Sequence, residues 1–250
     1  MVSVKILETK NLTVEFNGFK AMTDLDFSLE KGELRVILGP NGAGKTTFMD
    51  LITGKTRPNR GEVYFDGKKI TGMKTSEITQ LGIGRKFQGP NVFEDLTVIE
   101  NLEVACKGSH TVFKSLFYKK NKATENKINT ILEKIDLQQK KNYKASILSH
   151  GERQWLEMGM LLAQDPQLII LDEPTTGMTA EETYKTGVLV QTIFKDRSII
   201  VVEHDMAFVR QIAKKVTVLH QGQLLAEGTL SEIENNAKVQ EVYLKEDAHA

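Results

Sequence analysis

Three short stretches of this sequence hold residues whose types and spacing can do chemistry on a phosphate. Gly39-Pro40-Asn41-Gly42-Ala43-Gly44-Lys45-Thr46, followed by Thr47, fits the phosphate-loop pattern G-x-x-x-x-G-K-[ST]. Glycines let successive backbone N–H groups face one oxyanion, and a helix beginning at Lys45 adds its dipole. Lys45 can then reach the β and γ phosphates, and the Thr46 hydroxyl can ligate Mg²⁺, which makes residues 39–47 the candidate nucleotide ligands. Asp172-Glu173 closes an apolar run at residues 168–171. A strand-end acid is where an open α/β sheet places its ligand chemistry, so Asp172 is a candidate Mg²⁺ ligand. Glu173, beside the metal and not needed as its ligand, can take the proton of an attacking water, which points to hydrolysis. Ser149-His150-Gly151-Glu152 opens a helical run over residues 153–164 that stops at Asp165-Pro166. Ser149 and Glu152 make an S-x-x-E capping box, and the same helix start offers a hydroxyl and a glycine N–H to an anion.

The surrounding pattern predicts the elements that hold these groups. Alternation at residues 6–16 and 61–67, with turns at Asn17-Gly18 and Asp66-Gly67, predicts an antiparallel sheet at the start of the chain. Residues 34–38 read as a short strand running into the glycine loop, and 45–51 as the helix after it. Residues 90–164 lack β-branched runs and carry helical spacing at Ile128, Ile131, Leu132 and Ile135, which predicts an inserted helical subdomain. Trp155, Met158, Leu161 and Leu162 read as the core face of one of its helices. Continuous apolar runs at 168–171 and 199–202 suit parallel strands buried on both faces, separated by a helix over 180–194. Residues 216–219 and 223–226, joined by Gln221-Gly222, predict a hairpin, and the chain closes on a polar helix. The expected fold class is thus α/β, one domain over residues 1–250: an α/β core with an antiparallel β subdomain at 1–89 and 165–250, and the helical insertion between them.

The 250 residues hold 33 Lys plus Arg against 33 Asp plus Glu, with 40% hydrophobic and 26% charged residues, so nucleic acid is not expected as a principal partner. A single cysteine, Cys106, excludes an internal disulfide, and no secretory signal pattern opens the sequence, so a reducing, cytosolic setting is expected. The longest apolar runs fall far short of the roughly 20 residues of a membrane helix. From Lys107 to Lys144 ten lysines face three carboxylates, a net +7. Two readings stand: a solvated lysine-rich insertion, or a basic face toward anionic headgroups that Lys119, Lys120 and Lys122 would serve.

The order of the phosphate loop, Leu148-Ser149-His150-Gly151-Glu152 and Asp172-Glu173 resembles the ATP-binding cassette (ABC) ATPases, which share the P-loop NTPase (RecA-like) core. The resemblance covers nearly the whole chain and implies ATP and Mg²⁺ as cofactors. It places Phe16 where the family stacks an aromatic on adenine, while an alternating strand would also bury a Phe for packing. It sets Gln88 in Arg85-Lys86-Phe87-Gln88 at the glutamine that senses Mg²⁺ and the γ-phosphate, beside the surface facing the membrane partner. It sets His204 in Val201-Val202-Glu203-His204-Asp205 at the histidine that contacts the γ-phosphate, though a lone strand-end His is more often structural. Catalytic roles are thereby implied for Lys45, Gln88, Glu173 and His204, nucleotide contacts for Phe16, Ser149, Gly151 and Glu152, and metal contacts for Thr46, Gln88 and Asp172.

The sequence departs from the family's Leu-Ser-Gly-Gly-Gln at His150 and Glu152, and Thr179 stands where a dimer-contacting Asp is usual. A capping box would turn the Glu152 carboxylate back onto the Ser149 N–H and away from a phosphate. These variants, with Gly-Met-Thr and Val-Val-Glu-His-Asp-Met, look like the branch that serves branched-chain amino acid importers, and within it most like the ATPase subunits of urea or short-chain amide importers. The resemblance implies permease subunits, a second cassette, equal or related, and a periplasmic-type binding protein as partners. It also implies a peripheral place on the cytoplasmic face of the cell membrane. A soluble cassette switch would be expected to show a coiled-coil insertion or a tandem cassette, and a P-loop kinase or GTP switch leaves Ser149–Glu152 and His204 without a role.

Overall fold

The computed structural model describes residues 4–86, 91–106, 122–193 and 196–247. Gln88, Lys119 and Lys120 lie outside the described residues. Among the described residues ten strands form two sheets. In the first, β1 (Lys5–Phe16) and β2 (Phe19–Glu30) form a hairpin through Asn17-Gly18, whose φ angles of 51° and 86° give the turn the twist such hairpins need. β4 (Arg60–Phe65) pairs with β1 and turns through Asp66-Gly67 into β5 (Lys68–Lys69), so the order is β2-β1-β4-β5, antiparallel throughout. β2 alternates over residues 25–30, with Leu25, Phe27 and Leu29 buried, but the alternation breaks at residues 22–24, where the register against β1 shifts and Asp24 sits at φ 45°.

The second sheet has the order β10-β9-β3-β8-β7-β6. β3 (Leu34–Leu38), β6 (Ile83–Lys86), β7 (Leu168–Asp172), β8 (Ser198–Val202) and β9 (Lys215–His220) run parallel. β10 (Gln223–Gly228) returns antiparallel through Gln221-Gly222, as the hairpin pattern predicts. The period-2 geometry of these strands divides the core. Val36, Leu38, Ile169, Leu171, Ile199 and Val201 face the larger cluster of helices, while Ile37, Ile170, Ile200 and Val202 face the antiparallel sheet and the helix after β3.

That helix is α1 (Lys45–Ile52), and α2 (Thr75–Gln80) precedes β6. Between β6 and β7 come α3 (Val98–Cys106), α4 (Lys122–Lys134) and α5 (His150–Ala163). Ile128, Ile131, Leu132 and Ile135 are all buried, and on α5 Trp155, Met158 and Leu161 are buried as their spacing predicts, whereas Leu162 is only partly buried against the same core. α6 (Ala180–Ile193) links β7 to β8, α7 (Met206–Ile212) follows β8, and α8 (Leu230–Glu234) and α9 (Ala237–Asp247) end the described chain.

No strand is predicted at β6, and its sequence explains the omission. Ile-Gly-Arg-Lys has no apolar run, yet Lys86 is 1% exposed and the Arg85 side chain 5%. Each cation is buried because another element supplies its carboxylate: Asp50 and Asp172 for Arg85, Glu157 for Lys86.

Candidate nucleotide site

The phosphate loop lies at the carboxyl end of β3, in mid-sheet. Its backbone demands glycine at two points. Gly39 has φ 154° and a Cβ there would stand 2.3 Å from the Leu219 carbonyl oxygen; Gly44, with φ 98°, starts α1 3.1 Å from the Ala21 carbonyl oxygen by the same measure. The loop is pinned on both sides: Ala43 N donates to Pro40 O at 3.1 Å, and Gly222 N to Ala43 O at 3.0 Å. Lys45 arches back over the loop and its Nζ donates to Gly39 O at 2.5 Å and Pro40 O at 2.9 Å. A lysine held on weak carbonyl acceptors can transfer to phosphate oxygens, which make the stronger, charge-assisted bond. Thr46 is exposed at the start of α1, whereas Phe48 and Met49 anchor the helix in the core.

Asp172 ends β7, 4% exposed, with Arg85 Nη2 at 3.0 Å from its Oδ2. Burial pushes its carboxyl above the ordinary aspartate range, and Arg85 opposes that rise. Arg85 also reaches Asp50 Oδ1 at 2.5 Å, so one guanidinium ties α1, β6 and β7 together. Removing one partner of a buried ion pair costs about 3–5 kcal/mol. Arg85→Ala is therefore expected to lower stability by about that amount in a urea titration; a change below about 1 kcal/mol would show that the bridge does not hold the three elements.

Glu173 follows with φ 45°, a conformation that non-glycine residues seldom take and that surrounding structure must enforce. Its N–H donates to Val202 O at 2.9 Å, and the Thr176 hydroxyl donates to Glu173 Oε2 at 3.3 Å. His204 Nδ1 lies 3.7 Å from Glu173 Oε1, with the His204 side chain 69% exposed at the end of β8. The neighbouring Glu203, 1% exposed, explains how these two ends stay together. Its Oε1 accepts from Thr175 N at 3.1 Å and Thr175 Oγ1 at 2.5 Å, and its Oε2 from His204 N at 3.0 Å. Asp205 then caps α7 through the N–H groups of Ala207 and Phe208. Sequence reasoning does not identify Arg85 or Glu203; the only trace is a charge near a predicted site residue, three positions before Gln88 for Arg85 and next to His204 for Glu203.

Gly39, Pro40, Asn41, Lys45, Glu173 and His204 share one cavity of about 720 Å³, whose far wall comes from α7, α8 and α9. Phe16 is 47% exposed at the tip of the first hairpin, so it serves no core packing. The capping box predicted at Ser149 is present: Ser149 Oγ accepts from Glu152 N at 3.2 Å, and Ser149 N donates to Glu152 Oε2 at 3.0 Å. The other oxygen of Glu152 pairs with Lys140 Nζ at 2.5 Å, so its charge is spent within the chain. Thr179 forms a second such box with Glu182, whose Oε2 accepts from Thr179 N at 3.0 Å. Lys86 and Glu157 pair at 3.6 Å beneath α5, where burial lowers the lysine's pKa and raises the glutamate's. Ser149, Gly151 and Glu152 do not line the cavity that holds Lys45 and Glu173, and neither do Phe16, Thr46 or Asp172, so it gathers only part of the predicted site.

Comparison with known proteins adds a second line of observation. The family model described as ABC transporter matches residues 22–176. The chain is 36% identical over 246 residues to the probable branched-chain amino acid transport ATP-binding protein LivG of Archaeoglobus fulgidus, covering 96% of each. It is similar to the crystal structure of an ABC transporter ATP-binding cassette in its ADP conformation, with a TM-score of 0.84 at 32% identity over 96% of this chain and 98% of that one. It also matches a dimeric ATP-binding cassette in a post-hydrolysis state bound to ADP and Pi, with a TM-score of 0.75 at 25% identity over 90% of this chain and 98% of the other.

Proposed function

The chain belongs to the ABC transporter family, and we propose that it is the ATP-hydrolysing subunit of a branched-chain amino acid importer. It is an ATPase that uses ATP with Mg²⁺, dimerises and works with membrane permease subunits. No helix of the described residues is long and apolar enough to cross a membrane, which suits a peripheral subunit; the cytoplasmic face is part of this proposal. Of the two cargo classes the sequence resemblance offers, urea or short-chain amides first and branched-chain amino acids as the alternative, the second is the better supported, because the relative named for branched-chain amino acid transport is matched over 96% of both chains. A cassette that binds ATP does not itself touch cargo, so its own residues carry no record of it.

The observation that carries the enzymatic reading is the single cavity shared by Lys45, Glu173 and His204. The loop from Gly39 to Thr47 cradles the phosphates and Lys45 neutralises them. The Thr46 hydroxyl and Asp172 carboxylate are hard oxygen donors of the kind Mg²⁺ takes, and Asp172 is already held by Arg85 in an ionic environment. Gln88 is proposed as a third contact. Mg²⁺, when bound, offsets charge on the transferring phosphate. Glu173 takes the water proton, with its carboxylate oriented by Thr176, and His204 approaches the γ-phosphate from the end of β8. Ser149 and Gly151 serve the nucleotide of a second cassette. Phe16 stacks on adenine.

Two tests follow. Phe16→Ala is expected to weaken ATP binding by about 1 kcal/mol, roughly fivefold, without lowering Tm, because the exposed ring supports no core; unaltered affinity would remove the stacking role. For cargo, the chain is disrupted in its native cell and uptake of radiolabelled leucine and urea is followed. Loss of leucine uptake alone supports the proposal, and loss of urea uptake alone would return the cargo to the amide class.

A further inference from the structure

We propose that His150 is a positioning residue that links the N-terminus of α5 to the orientation of Glu173, so that one chain's hydrolytic carboxylate is set by the state of its own Ser149–Gly151 segment. The inference rests on the ATPase-dimer reading above. His150 Nε2 lies 3.0 Å from the Thr176 carbonyl oxygen. A carbonyl only accepts, so Nε2 carries the proton and donates it. The side-chain amide nitrogen of Gln154, one turn along α5, stands 3.3 Å from the same nitrogen, a contact that is not a hydrogen bond once Nε2 is the donor to Thr176. Thr176 in turn holds the carboxylate: its hydroxyl donates to Glu173 Oε2 and its N–H to Glu173 O, both at 3.3 Å. The path from the helix start to the general base is therefore three residues long, His150 to Thr176 to Glu173.

The loop between β7 and α6 is clamped from a second side. Ser149 Oγ donates to Glu182 Oε1 at 3.3 Å, while Glu182 Oε2 accepts from Thr179 N and Oγ1 at 3.0 and 3.1 Å. A Cβ on Gly151 would stand 2.4 Å from Glu182 Oε1, and one on Gly177 3.3 Å from His150 Nε2, so both glycines permit this close approach. Residues 176–179 thus sit between α5 and α6 with contacts to the very residues that open α5. Glu173 at φ 45° needs such over-determination, because a strained backbone relaxes when its supports are removed. A glycine at position 150, the residue of the resembled motif, has no side chain to reach Thr176. The link is consequently a property of this sequence, and it joins the half-site a chain offers its partner to the half-site it keeps.

The test uses the full chain purified with the subunits that accompany it, assayed for ATP hydrolysis against ATP concentration, with ATP affinity measured separately. His150→Ala is expected to lower kcat about five- to tenfold, on the scale of one lost hydrogen bond. KM and ATP affinity should stay within about twofold, and the Hill coefficient should fall toward one. His150→Gln, which presents an amide N–H to the same carbonyl, should recover at least half of kcat and the Hill coefficient. Thr176→Val should add little to His150→Ala if the two act in series. Wild-type kcat in His150→Ala, an unchanged Hill coefficient, equal loss in both His150 variants, or additive losses would each overturn the proposal. If the wild-type preparation hydrolyses no ATP, the ATPase reading fails first, a result distinct from any of these.

Discussion

Glu173→Gln is expected to lower ATP turnover about 100-fold or more while leaving ATP binding intact and trapping an ATP-bound dimer. The amide keeps the size of the side chain and an oxygen to accept from the Thr176 hydroxyl, so the local fold is preserved. What it loses is a basic oxygen, and positioned general bases contribute roughly 10²–10⁴-fold. The geometry favours this assignment over Asp172: that carboxylate is engaged by Arg85, while Glu173 lies on the cavity wall with His204 Nδ1 at 3.7 Å. Hydrolysis assays and size-exclusion chromatography with ATP read the two consequences independently. Full turnover in the variant would remove Glu173 from its role.

Lys45→Ala is expected to have the opposite signature, with binding lost before chemistry. Each hydrogen bond from a charged donor is worth about 1.5–3 kcal/mol, so losing the ammonium from two phosphates should weaken ATP at least about 100-fold. In the structure the same ammonium bridges Gly39 O and Pro40 O, so part of the loss comes from a slacker loop. The fold should survive, because α1 is anchored through Phe48, Met49, Leu51 and Ile52. Isothermal titration with ATP gives the number directly, and an unchanged Kd would sink the phosphate-loop assignment. Together the two variants separate holding the nucleotide from cleaving it.

The phosphate loop, the strand-end pair Asp172-Glu173 and the Ser149 capping box are written in consecutive residues, since each follows from local backbone geometry. The same holds for the hairpins at Asn17-Gly18 and Gln221-Gly222, where positive φ decides the residue types. β6 was illegible because its two cations are buried at no local signal, their partners standing on α1, β7 and α5. The exposure of Phe16 belongs to the second kind: alternation along β1 offers both a core and a stacking reading, and only the finished sheet leaves the ring outside.

By itself, the sequence determined a phosphate loop opening a helix, a metal-and-base pair closing a strand, a capped helix with an odd histidine, and the family these resemble. Tertiary structure decided which of these groups meet. It brought Lys45, Glu173 and His204 to one cavity, kept Ser149 and Gly151 outside it, set Arg85 between Asp50 and Asp172, and gave His150 a partner in Thr176. Local pattern is set by the backbone's few allowed conformations, which neighbouring residues decide. A buried charge or a shared proton is tolerated only when a distant element supplies its partner, and that is decided by packing alone.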